Sequence, residues 1–405
     1  MLRINRYKID IRLILLLGML ASCGPLAVDM YLPSLPSIAH YFSVKQSYAQ
    51  YTLTGFMSGF SIGILLYGPL SDALGRRPVL LSGIALFTIA SFLCFSAGSI
   101  STLIFARFIQ AIGAGASSVL TRTIARDTHE PENAAKVLLM VGGVTSIGPL
   151  FAPLIGSHII RFYNWRAVFA ILTLFGSLCM IVAFFYVPET WPKHRRISTV
   201  LLRSFISYRH ILSNRSVWGY ILCGGMAFAS MFSYITASPF VYIEYFHISP
   251  QHYAMLFGLN IFCTISGNFL NAWLITRISS LKIISVAALF SSIGSLGVSF
   301  FALTGIGNLW SIVFALFFVI SIVGVLSVNC TTNLMIRYPN NAGAAAAIFG
   351  AVQLGLGALV SSVIGALTNG TPSAMGITIG ISGLLCLVGR QLILRENKIV
   401  IKDSF

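Results

Sequence analysis

Acidic residues are nearly absent from this chain. Its 405 residues include only 10 Asp and Glu, and charged residues of both signs make up 9%. A water-facing globular domain carries about 25% charged residues, so a soluble domain is excluded. Long polar stretches are equally scarce; the longest, 188–215, runs from Pro188 to Arg215 and is rich in Lys, Arg and His. No GxxxxGK[ST] segment occurs, which excludes a P-loop pump. The 7 cysteines (Cys23, Cys94, Cys179, Cys223, Cys263, Cys330 and Cys386) fall in or beside different apolar runs, and no Cys-x-x-Cys or Cys/His spacing appears. The 7 histidines form no metal-binding spacing either. No metal site and no enzyme constellation is expected.

What remains is apolar: 57% of the chain is hydrophobic. In lipid every backbone polar group must be satisfied internally, so spans are helices or closed barrel strands. The apolar runs here are about twenty residues long and do not alternate, which makes them helices. The expectation is an all-α membrane protein with twelve spans, near 13–33, 48–70, 79–97, 102–124, 136–159, 167–187, 216–238, 254–275, 283–303, 308–330, 344–367 and 374–393. Leu20-Ala21-Ser22-Cys23 looks like a lipoprotein cleavage box, but the apolar run continues to Leu32, so it reads as part of an uncleaved first helix.

The net charge of +16 is a topology signal. One set of alternate loops holds nearly all the basic residues, from Arg3, Arg6 and Lys8 through Arg76, Arg77, Arg122, Lys193, Arg195, Arg203, Arg277 and Lys282 to Lys398 and Lys402. The opposite set holds only Lys45, Arg161 and Arg166. By the positive-inside rule both termini are cytoplasmic, and nucleic acid is not an expected partner. Six spans lie on each side of the polar stretch. The expected organisation is a six-helix bundle over 1–187, a cytoplasmic linker over 188–215, and a second bundle over 216–405.

The segment between spans 2 and 3 reads Gly68-Pro69-Leu70-Ser71-Asp72-Ala73-Leu74-Gly75-Arg76-Arg77-Pro78. A bland connector does not need Asp72 four residues before Arg76, bracketed by Gly68 and Gly75. The pattern resembles the signature turn of the major facilitator superfamily, complete at its glycine, aspartate and arginine positions. That resemblance implies two six-helix bundles that alternate access to a small-molecule substrate. Asp72 is expected to lie at the start of span 11 as a conformational latch, with Arg76 and Arg77 pairing with Asp127. Span 2 also carries Gly55, Gly59 and Gly63 on one helix face. That face serves either static packing or a gliding contact with Ala347, Ala351 and Gly355 of span 11.

Charges inside a bilayer are costly and usually functional. Two stand out: Asp29 in span 1 and Arg107 in span 4, at a similar depth in the outer half. Asp29-Met30-Tyr31-Leu32-Pro33-Ser34-Leu35-Pro36 resembles the first-helix motif of the Bcr/CflA drug-resistance transporters. Arg107-Phe108-Ile109-Gln110 resembles that family's fourth-helix arginine motif, and Thr236-Ala237-Ser238-Pro239-Phe240 also looks like this family. Gly148-Pro149, followed by Pro153, resembles the fifth-helix antiporter motif. The resemblance implies proton-driven export: Asp29 carries the proton, Arg107 tunes that exchange by charge pairing, and the proton motive force replaces any cofactor. Gln110 is expected to bind substrate or water. Spans 7, 8 and 10 add Met226, Phe232, Tyr234, Asn260, Ser327 and Asn329 as candidate substrate contacts, a mainly apolar set suited to an amphipathic ligand. The expected function is efflux of small amphipathic drugs across the inner membrane by a monomer. The alternatives are an exporter of a natural metabolite such as an amino acid, and a non-transporting sensor or structural membrane protein.

Overall fold

The computed structural model describes residues 11–196 and 200–403. Arg3, Arg6 and Lys8 lie outside the described residues, as do residues 197–199 of the linker and the side chains of Arg195, Arg203, Lys398 and Lys402. The described residues form helices and no strand. In order these are α1 (Ile11–Ala21), α2 (Cys23–Asp29), α3 (Leu35–Tyr41), α4 (Gln46–Leu74), α5 (Arg76–Phe95), α6 (Ile100–Thr128), α7 (Pro131–Phe162), α8 (Arg166–Tyr186), α9 (Val200–Ser213), α10 (Arg215–Pro239), α11 (Pro250–Leu274), α12 (Ser280–Thr304), α13 (Asn308–Arg337), α14 (Ala342–Leu367) and α15 (Ser373–Asp403). Among the described residues, 11 helices are long and apolar enough to cross a membrane. The pair formed by α1 and Cys23–Tyr41, bent by 43°, supplies the twelfth span.

Two local expectations change. Span 1 does not stop near residue 33. It continues as a short 3-10 helix, Leu32–Ser34, and then as α3, because Pro33 and Pro36 each fall at the first or second position of a new helix. Proline is tolerated there, since those N–H groups lack intrahelical partners anyway. Asp29 therefore lies well inside the span rather than at its outer end. The 68–78 segment is not a turn either. Helix α4 runs on through Gly68, Pro69 and Asp72 to Leu74, α5 begins at Arg76, and Gly75 alone breaks the helix, at φ +107°. An L side chain rarely adopts that φ, so one glycine does the work expected of a loop.

The chain divides into two compact units, one of residues up to 44 together with 55–204, the other of 45–54 together with 205 onward. In the first unit α1 and α2 pack on α7 and α6, and α5 packs between α6 and α8. In the second unit α10 packs on α15, α14 and α13, α12 on α15 and α13, and α11 on α13.

The glycine face of α4 lies against α6. Gly55, Gly59 and Gly63 meet the backbone carbonyls of Ile104, Phe108 and Ile112. At Gly59 the approach is closest: a Cβ would stand 2.2 Å from the Phe108 carbonyl oxygen, a backbone atom that cannot rotate away. At Gly68, apart from its chain neighbours and the adjoining backbone of its own helix, no described residue lies within 4 Å of that position. Gly59→Ala is therefore expected to lower stability by about 1–3 kcal/mol, the usual range for overpacking. Gly68→Ala should be neutral or stabilising, since Ala is favoured over Gly in helix interiors by about 1 kcal/mol. Unfolding midpoints of the detergent-solubilised variants check this; equal midpoints would refute the packing assignment.

Candidate functional site

Arg107 on α6 is fully buried, at 0% exposure, so it does not snorkel to the membrane surface. Its guanidinium carbon lies 4.6 Å from the centre of the Tyr31 ring, 4.3 Å from Phe56 and 5.8 Å from Phe169. A cation desolvated among aromatic faces gains about 2 kcal/mol or more per good contact. Its Nη1 donates to the Ala27 carbonyl at 2.9 Å and to Gln110 Oε1 at 2.6 Å. Gln110 Nε2 then donates to Ser91 Oγ at 2.7 Å, and Ser91 to the Phe87 carbonyl, also at 2.7 Å. This buried relay ties span 1 through α6 to α5. Gln110 is thereby engaged at both ends of its amide and steadies Arg107. Two guanidinium nitrogens, Nε and Nη2, have no hydrogen-bond partner among the described residues.

Asp29 ends α2, two residues after the carbonyl that Arg107 grips. It is 7% exposed and has no ion pair among the described residues. The pairing of Asp29 with Arg107 expected from their depth is thus not made in this conformation, although Arg107 reaches the same stretch of span 1. Helix α7 closes the other side. Gly148 faces the Leu26 side chain, and Gly156 meets the Met30 carbonyl so closely that a Cβ would stand 2.1 Å away. Pro149 and Pro153 lie inside this continuous helix. The fold thus gathers Asp29, Arg107, Gln110 and the glycine–proline face of span 5 around one broken helix. An isolated carboxyl in a low-dielectric site is chemically able to take up and release a proton, or to meet a substrate cation.

In the second unit, Tyr234, Asn260, Met226 and Phe232 are all buried. Asn260 Nδ2 donates to Tyr234 Oη at 3.0 Å, and the Tyr234 ring stacks on Phe257 at 5.8 Å. Asn260 Oδ1 has no partner among the described residues. Phe232 lies 4.8 Å from Phe228, beside Gly357. Asn329 is placed elsewhere. Its Nδ2 donates to Asn271 Oδ1 and to the Val325 carbonyl, and its Oδ1 accepts from Ser280. Asn333 also donates to Ser280. Both ends of the Asn329 amide therefore hold α11, α12 and α13 together. Ser327 accepts a hydrogen bond from Gln353.

The signature segment is built around Arg76, which is buried. Arg76 pairs with Asp72, donates from Nε to Asp127 Oδ2 at 3.1 Å and from Nη1 to Ser71 Oγ at 2.6 Å, and stacks over Trp191 at 4.7 Å. Its backbone N–H donates to Glu189 Oε1 at 3.0 Å, and Trp191 Nε1 donates to the Asp72 carbonyl at 3.1 Å. Glu189 in turn pairs with Arg196 at 3.1 Å. A Cβ on Gly75 would strike both of those side chains. Arg77 does not reach Asp127. One residue further round the helix it faces about 100° away, and it donates to the Phe184 carbonyl of α8 at 2.6 Å instead. Glu189, Trp191 and Arg196 are not among the functional residues expected from the sequence. The signal was present, since Glu189 is one of only 10 acids in the chain.

The Major Facilitator Superfamily model matches residues 17–362. An uncharacterized MFS-type transporter, YdgK, from Bacillus subtilis is 35% identical over 88% of this chain and 89% of its own length. A bicyclomycin resistance protein homolog from Haemophilus influenzae is 28% identical over 97% of this chain and 98% of its own, in keeping with the Bcr/CflA resemblance. Among solved structures, a D-xylose–proton symporter matches the fold with a TM-score of 0.71 at 18% identity, over 93% of this chain and 97% of its own. Signature segment, spans and comparisons agree: this chain belongs to the Major Facilitator Superfamily and is a multi-pass membrane transporter of small molecules.

Proposed function

We propose that this chain is a drug/H+ antiporter. It exports small amphipathic drugs or toxic compounds across the bacterial inner membrane by alternating access, with both termini in the cytoplasm. It works as a monomer and draws on the proton motive force, with no other cofactor. Asp29 is the proton carrier: facing outward it takes a proton, and facing the cytoplasm it gives the proton up as substrate enters. Arg107 is a positioning residue that holds the broken stretch of span 1. The observation that carries this reading is a buried carboxyl that makes no ion pair among the described residues, two residues along span 1 from a carbonyl held by a fully buried arginine, two of whose nitrogens have no partner among those residues. The likeness to a bicyclomycin resistance protein homolog supports drugs as the substrate class, and Gly148-Pro149 supports export. The clustering of arginines and lysines in alternate loops supports the orientation.

Inverted membrane vesicles with an acidic interior test the reading. Bicyclomycin, cationic dyes and amino acids are offered in turn. Drug accumulation that discharges the proton gradient and is abolished by a protonophore is the expected result. Uptake of amino acids alone would make the chain a metabolite exporter, and protonophore-insensitive uptake would refute proton coupling.

A further inference from the structure

A cavity of about 840 Å³ opens between α11 and α12 in the second unit, within the range of about 300–1,000 Å³ typical of small-ligand sites. Its position follows from the packing. Both helices pack on α13, and Gly267 seats α11 directly against the Ser321 carbonyl of α13, leaving a gap on the α12 side. The walls are apolar, formed by Leu270 and Leu274 of α11, Ile283, Val286 and Phe290 of α12, and Phe318 of α13. The lining contains no acid and one cation, Lys282, in the first turn of α12.

That end of the cavity is basic and has no acid to balance it. Lys282 is exposed and makes no ion pair among the described residues. Arg277, in the connection between α11 and α12, is exposed and stacks over Trp273 at 4.3 Å. Trp and basic residues mark the membrane–water boundary, so this is the end that meets the headgroups. Ser279, the N-cap of α12, makes no side-chain cap bond, so the first N–H groups there are not taken by it. No Asp or Glu occurs anywhere between Glu244 and Glu396. The cavity lining therefore offers a cation at this end and no carboxylate of its own, which suits an anionic headgroup.

We propose that the cavity holds an acyl chain of an anionic phospholipid, drawn from the leaflet on the basic-loop side, with the lipid phosphate at Lys282. The open side of the cavity admits the chain laterally from the bilayer. The apolar walls bury it, and Lys282 with Arg277 selects a negatively charged headgroup over a zwitterionic one. A lipid wedged between α11 and α12 becomes part of the wall of the second unit.

The full chain, reconstituted with photoactivatable acyl-chain phosphatidylglycerol or phosphatidylcholine, tests this. Phosphatidylglycerol is expected to label peptides from α11 and α12 preferentially. Lys282→Gln should lower that labelling about five-fold, the equivalent of one basic side chain near an anionic surface, and leave phosphatidylcholine labelling unchanged. Val286→Trp, at an exposed wall position that tolerates bulk, should lower labelling by both lipids there while the outer faces of other helices label normally. Equal labelling by the two lipids in wild type and in Lys282→Gln would make the groove ordinary lipid-facing surface. Displacement of the label by bicyclomycin would make it a substrate site. Either result overturns the proposal. Lipid labelling is read without transport, so its outcome is independent of the antiport assay.

Discussion

Asp29→Asn is expected to abolish concentrative transport while leaving substrate binding and the fold intact. The substitution removes the charge and keeps the shape. Because Asp29 makes no ion pair among the described residues, no pair is broken and no buried cation is orphaned. Arg107 keeps its bonds to the Ala27 carbonyl and Gln110. Moving one charge through the membrane supplies about 2.3 kcal/mol per 100 mV. At about 1.4 kcal/mol per tenfold ratio, that supports a substrate gradient of about fifty-fold. In inverted vesicles the variant should equilibrate substrate to a ratio near one and no longer discharge the proton gradient. Substrate affinity, measured by ligand-induced fluorescence quenching in detergent, should stay close to wild type. Undiminished accumulation driven by a pH gradient would remove Asp29 from coupling.

The two charges of span 1 and span 4 could be picked out in the sequence because charge is so rare in an apolar chain. The same rarity made the twelve spans legible, since lipid allows few alternatives to a helix. What the sequence hid was which distant segment meets which. The glycine face of α4 could be seen, but not that it rests on the Ile104, Phe108 and Ile112 carbonyls of α6. Span 1 runs past the end expected near residue 33, because Pro33 and Pro36 lie in the first turns of new helices. No charge-paired counterpart of the signature segment stands between spans 8 and 9. Asn271, Ser280, Asn329 and Asn333 form a neutral hydrogen-bonded clasp between α11, α12 and α13, much as Asp72, Arg76 and Asp127 join α4, α5 and α6 with charges. Amides and hydroxyls are common in membrane helices, so this clasp carries no sequence signature of its own.

Arg76→Ala is expected to loosen the first unit and eliminate transport, whereas Asp72→Asn should spare the fold and act on the conformational cycle. Arg76 opens α5, where the positive end of the helix dipole disfavours a cation by about 0.3–1 kcal/mol. Its place there is maintained by partners: Asp72, Asp127, Ser71 and the Trp191 ring, with Glu189 accepting its backbone N–H. Its side chain is only 6% exposed, and removing it takes the shared cation from Asp72 and Asp127. Losing the charge-assisted hydrogen bonds of so buried a cation costs about 1.5–3 kcal/mol, a sizeable part of the roughly 5–15 kcal/mol that holds a typical domain folded. Asp72 is the outer member, with its side chain 37% exposed. Water screens it, so its share of the pairing is worth about 1 kcal/mol or less. Conformers separated by a few kcal/mol still respond to a bias of that size. Unfolding midpoints in detergent should therefore fall sharply for Arg76→Ala and little for Asp72→Asn. Turnover should slow in both, and thiol labelling of a single cysteine on the cytoplasmic side, in a cysteine-free background, should change in Asp72→Asn. Equal midpoints would show that Arg76 is not the hub of the cluster. Normal turnover and unchanged labelling in Asp72→Asn would confine Asp72 to marking where two helices meet.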